Sequence, residues 1–402
     1  MRTLTRCTLA GLALAALGAT LCYAQASSPR FEAQTIDPKL GVGYAVAIAD
    51  MNGDRKPDVV GVNENQVRWY ENPTWQKHTI LTDATPRDNV CIAAADLDGD
   101  GRAELALGAF WKPADTVGSG SVHWLARGAD PRQPWKPVDL EAEPTVHRMR
   151  WADVDGDRKQ ELVMAPLHGR GNKGPLFEGA GAKVVVYYPP ADPAVQPWRR
   201  EIADDSLHVV HNLWPVQWDE DGPSEILTAS FEGVHLLDRG GDGKWTRVKL
   251  GAGDQESSPN RGSSEIKAGR LPSGKRYLAT VEPFHGNQVV VYTPGAGDTW
   301  ERRVVDATIR EGHGVWCADV DGRPGDELLI GWRGPDTANQ RVGVAVYIAA
   351  DAAGEKWEKR LLDDNGMACE DLTAGDLDGD GRTDVVASGR ATHNLKIYWN
   401  RR

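Results

Sequence analysis

The sequence has little of what several large protein classes require. It has five cysteines in 402 residues, and two of them, Cys7 and Cys22, lie in an apolar N-terminal segment that we expect to be removed. The three that remain, Cys91, Cys317 and Cys369, are an odd and scattered set, which is not a disulfide framework. We expect each of them to be a buried thiol.

The body of the chain also lacks a basic surface and a long apolar run. The formal net charge is -12 and no basic stripe interrupts the acidic composition, which argues against nucleic acid because its binding depends on neutralising phosphates. After residues 1–24, no stretch approaches the roughly 20 apolar residues that a membrane-spanning helix needs. We therefore expect neither a nucleic acid partner nor a membrane span.

The N-terminal segment has the layout of a secretory signal peptide. Arg2 and Arg6 precede the apolar run LAGLALAALGATL, and small residues follow in CYAQA. This order of basic, apolar and small residues is typical of a cleaved signal. We expect residues 1–24 to be the signal peptide and the mature protein to be periplasmic or secreted.

One acidic pattern recurs along the chain. ADMNGDRKPD (49–58), ADLDGDGRAE (95–104), ADVDGDRKQE (152–161) and GDLDGDGRTD (375–384) are complete copies, and QWDEDGPSE (217–225) and DVDGRPGDE (319–327) are weaker ones. A degenerate unit around Arg270 fits between the weaker copies. Each copy separates two apolar segments, which gives seven units of 46 to 64 residues, near the length of four-stranded propeller blades.

Two more strands follow in each unit. The third strands, such as QVRWYEN and KVVVYYP, are β-branched and aromatic, and six fourth strands begin at a tryptophan, as in WQKHTIL. The seventh fourth strand is supplied by FEAQTID (31–37) at the other terminus, which protects the edges of the closing blade. We predict an all-β, seven-bladed β-propeller of four-stranded blades over residues 31–402, with the N-terminal strand completing the last blade; two stacked β-sandwiches are the alternative.

The acidic loops carry oxygen ligands at positions 1, 3, 5 and 9, which converge on one point. Hard cations such as Ca²⁺ take about six to eight such oxygens, so we predict several structural Ca²⁺ ions; the alternative is that Asp and Gly serve only as turn formers. At the loop that begins at Asp319, Arg323 occupies the fifth position and we expect no ion. The predicted ligands are Asp50, Asn52, Asp54 and Asp58; Asp96, Asp98, Asp100 and Glu104; Asp153, Asp155, Asp157 and Glu161; Asp376, Asp378, Asp380 and Asp384; and, in the weaker loop at Gln217, Asp219, Asp221 and Glu225.

These loops resemble a known repeat family. DxDGDGxxD segments between the first and second strands of a blade are similar to the FG-GAP or VCBS repeats of integrin-type seven-bladed propellers. The resemblance covers essentially the whole mature chain. It implies that the loops bind calcium and fix the hairpin between the two inner strands, away from any chemistry.

A functional site is predicted at the end of the first strands that lies opposite the acidic loops. Because these strands surround the propeller axis, side chains at one level could share a funnel, and three imidazoles are a common ligand set for a catalytic metal. We predict His147, His211 and His313 as ligands of a divalent transition metal, Zn²⁺ or Mg²⁺, and Glu370 as a further ligand or a base. Separately hydrogen-bonded histidines, or direct ligand binding without a metal, stay open. Six residues before the loops, the seven units have Tyr44, Val90, His147, His211, Ser264, His313 and Glu370.

Other polar and aromatic residues crowd the same end. The long connection PLHGRGNKGPLFEGAG, within the third unit, carries His168 and Arg170, and His208 precedes His211 by three residues. Together they predict a polar pocket with an aromatic rim, which suits a sugar or glycan ligand. The wider set of candidates adds Trp111, Lys112, Asn172, Lys173, Glu282, His285, Trp332 and Arg333.

A second resemblance indicates an activity. PTVHRMRWADVDGD, APLHGRGNKGP and HVVHNLWPVQWDEDG look like the propeller domain of the aldos-2-ulose dehydratase and 1,5-anhydrofructose dehydratase group. The resemblance implies a metal-assisted lyase that eliminates water from a keto-sugar. In that chemistry we predict His208 or His168 as the base and Arg148 or Arg170 as the residue that orients hydroxyls. The alternative function is a non-catalytic secreted propeller that binds carbohydrate or protein.

Overall fold

The computed structural model describes residues 29–219, 222–297 and 299–402. In these ranges the chain forms 28 strands in seven antiparallel four-stranded sheets. The same ranges contain no helix of the length and apolarity needed to cross a membrane. The predicted signal peptide and Asp221 lie outside the described residues.

The first four complete blades use consecutive strands, and the second strand of each is buried along its whole length. Blade 1 has β2 (Ala45–Ala49), β3 (Asp58–Val62), β4 (Gln66–Glu71) and β5 (Gln76–Thr82). Blade 2 has β6 (Cys91–Ala95), β7 (Glu104–Ala109), β8 (Ser121–Ala126) and β9 (Lys136–Leu140). Blade 3 has β10 (Val146–Ala152), β11 (Glu161–Pro166), β12 (Val184–Tyr188) and β13 (Arg199–Asp204). Blade 4 has β14 (Val210–Val216), β15 (Glu225–Ser230), β16 (Gly233–Arg239) and β17 (Trp245–Gly251).

The last three blades repeat the pattern, and the seventh takes its outer strand from the N-terminal end. Blade 5 has β18 (Glu265–Arg270), β19 (Arg276–Glu282), β20 (Gln288–Pro294) and β21 (Trp300–Asp306). Blade 6 has β22 (Arg310–Ala318), β23 (Glu327–Gly334), β24 (Gly343–Ala349) and β25 (Trp357–Asp364). Blade 7 has β26 (Cys369–Gly375), β27 (Asp384–Gly389), β28 (Leu395–Asn400) and β1 (Phe31–Asp37).

The predicted closure of the ring is confirmed. β1 pairs antiparallel with β28, from Phe31 opposite Asn400 to Asp37 opposite Leu395. The backbone of β28 is therefore hydrogen-bonded on both sides, and blade 7 presents the same four-stranded sheet as its neighbours. The degenerate fifth unit also forms a complete blade.

The apolar layer predicted between the blades is present. Each of its seven residues, four positions before a loop, is a buried member of a different apolar cluster between neighbouring sheets. Regular alternation along the strand then directs the residues on either side of this layer toward the axis. The seven residues are Val46, Ile92, Met149, Leu213, Ile266, Val315 and Leu372.

The three cysteines of the described chain are free thiols, and the prediction that each is buried is confirmed for two of them. Cys91 and Cys369 are buried between blades, and Cys317 is half-buried. Burial raises the pKa of Cys91 and of Cys317 to about 12, so both thiols stay protonated and unreactive at neutral pH.

Candidate functional site

A β-bulge lies near the N-terminal end of the first strand in four of the seven blades. In each of them the register between first and second strands skips one residue. The skipped residues are His147 in β10, His211 in β14, His313 in β22 and Glu370 in β26. A bulge changes the direction of a side chain relative to regular alternation and is frequent beside functional sites. The bulges therefore turn the predicted ring of polar residues toward the axis.

The imidazoles of this ring are held by the main chain of the next blade. In each case a ring Nδ1 contacts the carbonyl of the residue at the same level. The contacts are His147 to His211 O (2.7 Å), His211 to Ser264 O (3.0 Å) and His313 to Glu370 O (2.5 Å). A neutral imidazole that donates from Nδ1 keeps its lone pair on Nε2, as metal-binding histidines commonly do.

A three-imidazole group forms with the help of His285, which enters from the connection between β19 and β20. His285 Nε2 lies 2.8 Å from His211 Nε2, and ring nitrogens of His211, His285 and His313 all lie within 4.8 Å of one another. Burial lowers the pKa of all three well below the usual value. Three neutral imidazoles are a donor set that fits a divalent cation such as Zn²⁺.

His147, a predicted ligand, lies beside this group but outside it. Its ring centroid is 4.5 Å from that of His211, yet its Nε2 is 3.2 Å from Arg148 Nη1, which donates to it. Arg148 also contacts Glu265 at 3.5 Å. The lone pair of His147 is thus already used, whereas His285 occupies the place that the sequence prediction gave to His147.

One wall of the site is cationic. Glu370 lies between Arg333 Nη1 (2.5 Å) and Arg390 Nη1 (2.8 Å), and its Oε1 is 3.9 Å from His313 Nε2. Both carboxylate oxygens are therefore engaged by guanidinium groups. In this geometry Glu370 holds two arginines at the cavity, where their remaining N–H groups can bind hydroxyl or carbonyl oxygens.

The other wall is apolar. Leu167, Val209 and Phe231 form a buried cluster against which Trp111, Phe177 and Phe284 pack. Between the two walls lies a cavity of about 330 Å³, which we call the histidine pocket. Its lining includes Tyr44, Trp111, His147, Arg148, His168, Phe177, His285, His313, Arg333, Glu370 and Arg390. An apolar face opposite convergent polar groups is the usual construction of a small-ligand site.

His168 is the predicted base that reaches this pocket. Its ring is stacked on Phe177 with 3.6 Å between centroids. Burial lowers its pKa to about 3, and its Nδ1 is buried with no hydrogen-bond partner among the described residues. His168 is therefore neutral at physiological pH, and its Nδ1 is a buried ring nitrogen without a partner in the described part of the chain.

His208 and Arg170 lie elsewhere. His208 Nδ1 is 2.9 Å from Glu232 Oε1, and the ring is not part of the lining of the histidine pocket. Arg170 contacts Glu143 at 3.5 Å and the carbonyl of Val117 at 3.2 Å on the surface of the long connection. The structure thus brings His168 and Arg148 to the pocket but neither of their sequence alternatives.

The acidic loops lie at the far end of the first strands, as predicted. The first, third and ninth positions bring carboxylate oxygens within 4.8 Å of one another in Asp96, Asp98 and Glu104; in Asp153, Asp155 and Glu161; and in Asp376, Asp378 and Asp384. Asp319, Asp321 and Glu327 form a similar group, where Arg323 Nε contacts Asp321 at 2.6 Å. Fifth-position carboxylates also meet basic groups, such as Arg127 at 2.7 Å from Asp100. Calcium binding remains a prediction.

Each acidic loop is closed by its own ninth-position carboxylate, which accepts a backbone N–H from the second position. The pairs are Asp58–Met51 (2.9 Å), Glu104–Leu97 (2.9 Å), Glu161–Val154 (3.0 Å), Glu225–Trp218 (2.7 Å), Glu327–Val320 (2.8 Å) and Asp384–Leu377 (3.0 Å). Burial raises the pKa of Asp58, Glu104 and Glu161 to about 7 and that of Asp384 to about 6. A cation at these loops would offset the cost of burying the charge.

His285 and Arg333 are among the wider candidates from the sequence, whereas Arg390 was not predicted. Arg390 directly follows the second strand of blade 7, Arg333 lies at the end of that of blade 6, and the two are 57 residues apart. His313 and Glu370 have the same spacing. Extending the repeat register past the second strand would therefore have identified Arg390.

Comparisons with known proteins agree with both resemblances. Residues 119–294 match the family model described as the β-propeller domain of aldos-2-ulose dehydratase, and residues 30–107 match the FG-GAP-like repeat. Over 344 residues the chain is 29% identical to the aldos-2-ulose dehydratase of Phanerodontia chrysosporium. The aligned segment covers 79% of this chain and 37% of that protein. This chain thus spans little more than a third of the length of that relative.

Solved structures that resemble the chain share its fold. The WD40 β-propeller domain of Doa1 superposes with a TM-score of 0.54 at 10% identity, covering 92% of this chain and 97% of that one. The β-propeller domain of Cps50 (Swd1) from Myceliophteria thermophila has a TM-score of 0.54 at 11% identity, covering 92% and 100%. This chain is a seven-bladed β-propeller that is similar, over the matched residues, to the propeller domain of aldos-2-ulose dehydratase.

Proposed function

We propose that this protein is an exported carbohydrate dehydratase that eliminates water from a keto-sugar bound in the histidine pocket. The observation that carries the proposal is the convergence of three neutral imidazoles, His211, His285 and His313, beside a cavity with one apolar and one cationic wall. The similarity to a sugar dehydratase supports the same substrate class.

The residues of the pocket suit the two proton transfers of the reaction. The α-proton of the sugar leaves to a base, and the β-hydroxyl leaves with a proton as water, which produces an unsaturated ketone. His168 is the base in this proposal because it lines the pocket, is neutral, and has a ring nitrogen with no hydrogen-bond partner among the described residues. Tyr44 is the acid in this proposal, because it lines the pocket and its phenol carries a proton at neutral pH. Each such transfer is worth roughly 10²- to 10⁴-fold in rate.

The two walls of the pocket position the sugar. Arg333 and Arg390, held by Glu370, bind the hydroxyl and carbonyl oxygens, and Trp111 and Phe177 cover the apolar face of the ring. A divalent cation held by the three imidazoles would polarise the keto oxygen and stabilise the negative charge that develops on it. We further propose that the acidic loops bind Ca²⁺ and that residues 1–24 direct export.

An elimination assay tests this function. Purified full-length protein is incubated with an aldos-2-ulose and with 1,5-anhydrofructose, and the unsaturated ketone is followed by ultraviolet absorbance and mass spectrometry. We expect a product that has lost one water, and a loss of at least about 100-fold in kcat in His168→Gln, while His208→Gln keeps the wild-type rate. No product from either sugar, or equal effects of the two variants, would contradict the assignment.

One observation favours a second function, non-catalytic carbohydrate binding. Both ring nitrogens of His285 can be hydrogen-bonded without a metal: Arg333 Nη2 lies 3.5 Å from His285 Nδ1 as a possible donor, and His285 Nε2 can donate to His211 Nε2 at 2.8 Å. In that case the walls would hold a sugar without reacting with it. Sugar binding without turnover or bound metal is the result that would favour this alternative.

A further inference from the structure

A second cavity lies between blades 7 and 1, where the two ends of the chain meet. It has a volume of about 450 Å³ and we call it the junction pocket. Segments of the acidic loops of both blades line it, so it lies at the opposite end of the first strands from the histidine pocket. No described residue lines both pockets. The lining of the junction pocket includes Gln34, Asn72, Trp75, Asp378, Trp399 and Arg401.

Two indole rings form the apolar part of the junction pocket. Trp75 and Trp399 have ring centroids 5.9 Å apart, with an angle of 51° between their planes. Trp399 is only 8% exposed and donates its ring N–H to Gln34 Oε1 at 2.8 Å, which fixes the orientation of its ring. Trp75 is half-buried, so part of its indole stays accessible. Indole faces of this kind suit a ligand that carries an apolar C–H surface.

Trp75 differs from the tryptophans that occupy its place in the repeat. In four other blades the tryptophan at the start of the fourth strand donates its ring N–H to a protein oxygen, whereas Trp75 Nε1 forms no hydrogen bond with the described residues. Trp75 also has a left-handed φ of 57°, which is unfavourable for a bulky residue, and such conformations cluster at ligand sites. A ligand contact would account for both departures from the repeat. The four other tryptophans are Trp135, Trp198, Trp245 and Trp357.

Hydrogen-bonding groups lie beside the indoles. The guanidinium of Arg401 lies 5.1 Å from the ring centroid of Trp399, and its Nη1 donates to Asp378 at 2.7 Å. Asn72 Nδ2 donates to one backbone carbonyl in each of the two acidic loops, at 2.9 and 2.6 Å, which ties the loop segments of the lining together. An aromatic surface with a few fixed polar groups is the usual construction of a site for a small polar ligand such as a sugar.

The charges of the junction pocket are mostly balanced within the protein. Arg401 pairs with Asp378, and Lys56 Nζ lies 4.0 Å from Asp54. Arg55 is an exposed cation of the lining. Exposed ions are solvated and screened by salt, so they contribute little to binding. The aromatic faces and the hydrogen-bonding groups therefore favour a neutral ligand with hydroxyls over a charged one.

We propose that the junction pocket binds one sugar unit of a neutral glycan whose ring hydroxyls are equatorial, as in a β-1,4-glucan. Such a ring has C–H groups on its faces, which contact Trp75 and Trp399. Its edge carries hydroxyls, which bond to the guanidinium of Arg401 and the amide of Gln34. This site would attach the protein to a polysaccharide while the histidine pocket stays free, and it does not depend on the proposed dehydratase activity.

Titration of full-length protein with cellohexaose tests this site. Binding is followed by tryptophan fluorescence and calorimetry, and a β-1,4-glucuronan hexasaccharide is the charged counterpart with the same backbone. We expect cellohexaose to bind at least as tightly as the glucuronan, and Trp75→Ala to weaken its binding about tenfold or more, because the stacking contact is lost. The matched control is Trp300→Ala, which should leave the affinity unchanged. Trp300 begins the fourth strand of blade 5 and packs on Trp218 at 5.6 Å, outside the junction pocket.

Two further variants complete the test. If Trp75→Ala fails to fold by circular dichroism, Arg401→Met decides, and it should weaken cellohexaose binding about fivefold or more because a charged donor is lost. His285→Ala, in the histidine pocket, should bind cellohexaose as wild type does. Four results would each overturn the proposal whatever the outcome of the dehydratase assay: no binding of cellohexaose, glucuronan binding that is tighter by about tenfold or more, equal losses in Trp75→Ala and Trp300→Ala, or a loss in His285→Ala alone.

Discussion

The effect of Glu161→Gln on stability should depend on calcium. The variant should be more stable than wild type without calcium and less stable than wild type with it. Glu161 closes the acidic loop of blade 3 through Val154 N–H at 3.0 Å, and glutamine keeps an oxygen that can accept this bond. What the substitution removes is the charge. In the absence of a cation that charge is buried beside Asp153 and Asp155, and it should be a cost to the native state.

The pKa of Glu161 gives the size and the sign of this cost. Burial raises the pKa to about 7 from 4.5, so the folded protein binds the proton more tightly than the unfolded chain does. The favourable contribution is present below pH 4.5 and is lost as the pH rises through 7. At pH 8 without a cation, the ionised carboxylate therefore costs about 3 kcal/mol at most. For a chain of this length that corresponds to about 4 °C in Tm.

The assay is thermal unfolding of wild type and Glu161→Gln at pH 8 and at pH 5, in EDTA and in CaCl₂. In EDTA at pH 8 the variant should unfold at a Tm about 4 °C higher than wild type. At pH 5 the difference should shrink, because the wild-type carboxyl is then protonated. In CaCl₂ at pH 8 the variant should be the less stable protein, since it has lost a ligand of the ion.

The control is Glu178→Gln, which changes an exposed carboxylate in the same blade. It should leave Tm unchanged within error in every buffer. A Glu161→Gln protein that is destabilised equally in EDTA and in CaCl₂ at pH 8 would refute the reasoning, because the carboxylate would then stabilise the loop without a cation.

Three other changes test other parts of the molecule. Glu370→Gln removes the carboxylate shared by Arg333 and Arg390 and should cost about 3–5 kcal/mol in urea unfolding; a loss below about 1 kcal/mol would contradict the ionic role. Deletion of residues 31–37 exposes the edge of β28 and should produce aggregates in size-exclusion chromatography, unlike full-length protein. His285→Ala should reduce kcat for water elimination about 100-fold or more, and an unchanged rate would exclude His285 from the reaction.

The fold could be predicted from the sequence because one signal is repeated seven times. Each acidic loop marks the turn between two inner strands, and the tryptophans mark the fourth strands. Because only six fourth strands follow a third strand, the outer strand of blade 7 could be assigned to residues 31–37. Local pattern and global closure agree, which is the situation in which sequence reasoning is strongest. The apolar residues four positions before the loops are buried for the same reason.

The site could be predicted only in part. The level of His147, His211 and His313 follows from the repeat, but the bulges that turn these side chains toward the axis have no local sequence signal. His285 reaches the group from a connection after the second strand, with a left-handed φ of 48°, and no spacing from the loops predicts that conformation. Once the bulges are known, Arg148 explains why His147 is not available, since its guanidinium donates to the free ring nitrogen.

The direct test of the central claim is the metal content of protein purified without added metal. Wild type, His285→Ala and His208→Ala are analysed by elemental mass spectrometry after dialysis against calcium. The account predicts about one transition metal or zinc ion per chain in wild type and His208→Ala, its loss in His285→Ala, and unchanged calcium in all three. Calcium alone in wild type, or a zinc-type ion that persists in His285→Ala, would contradict a catalytic metal in the histidine pocket.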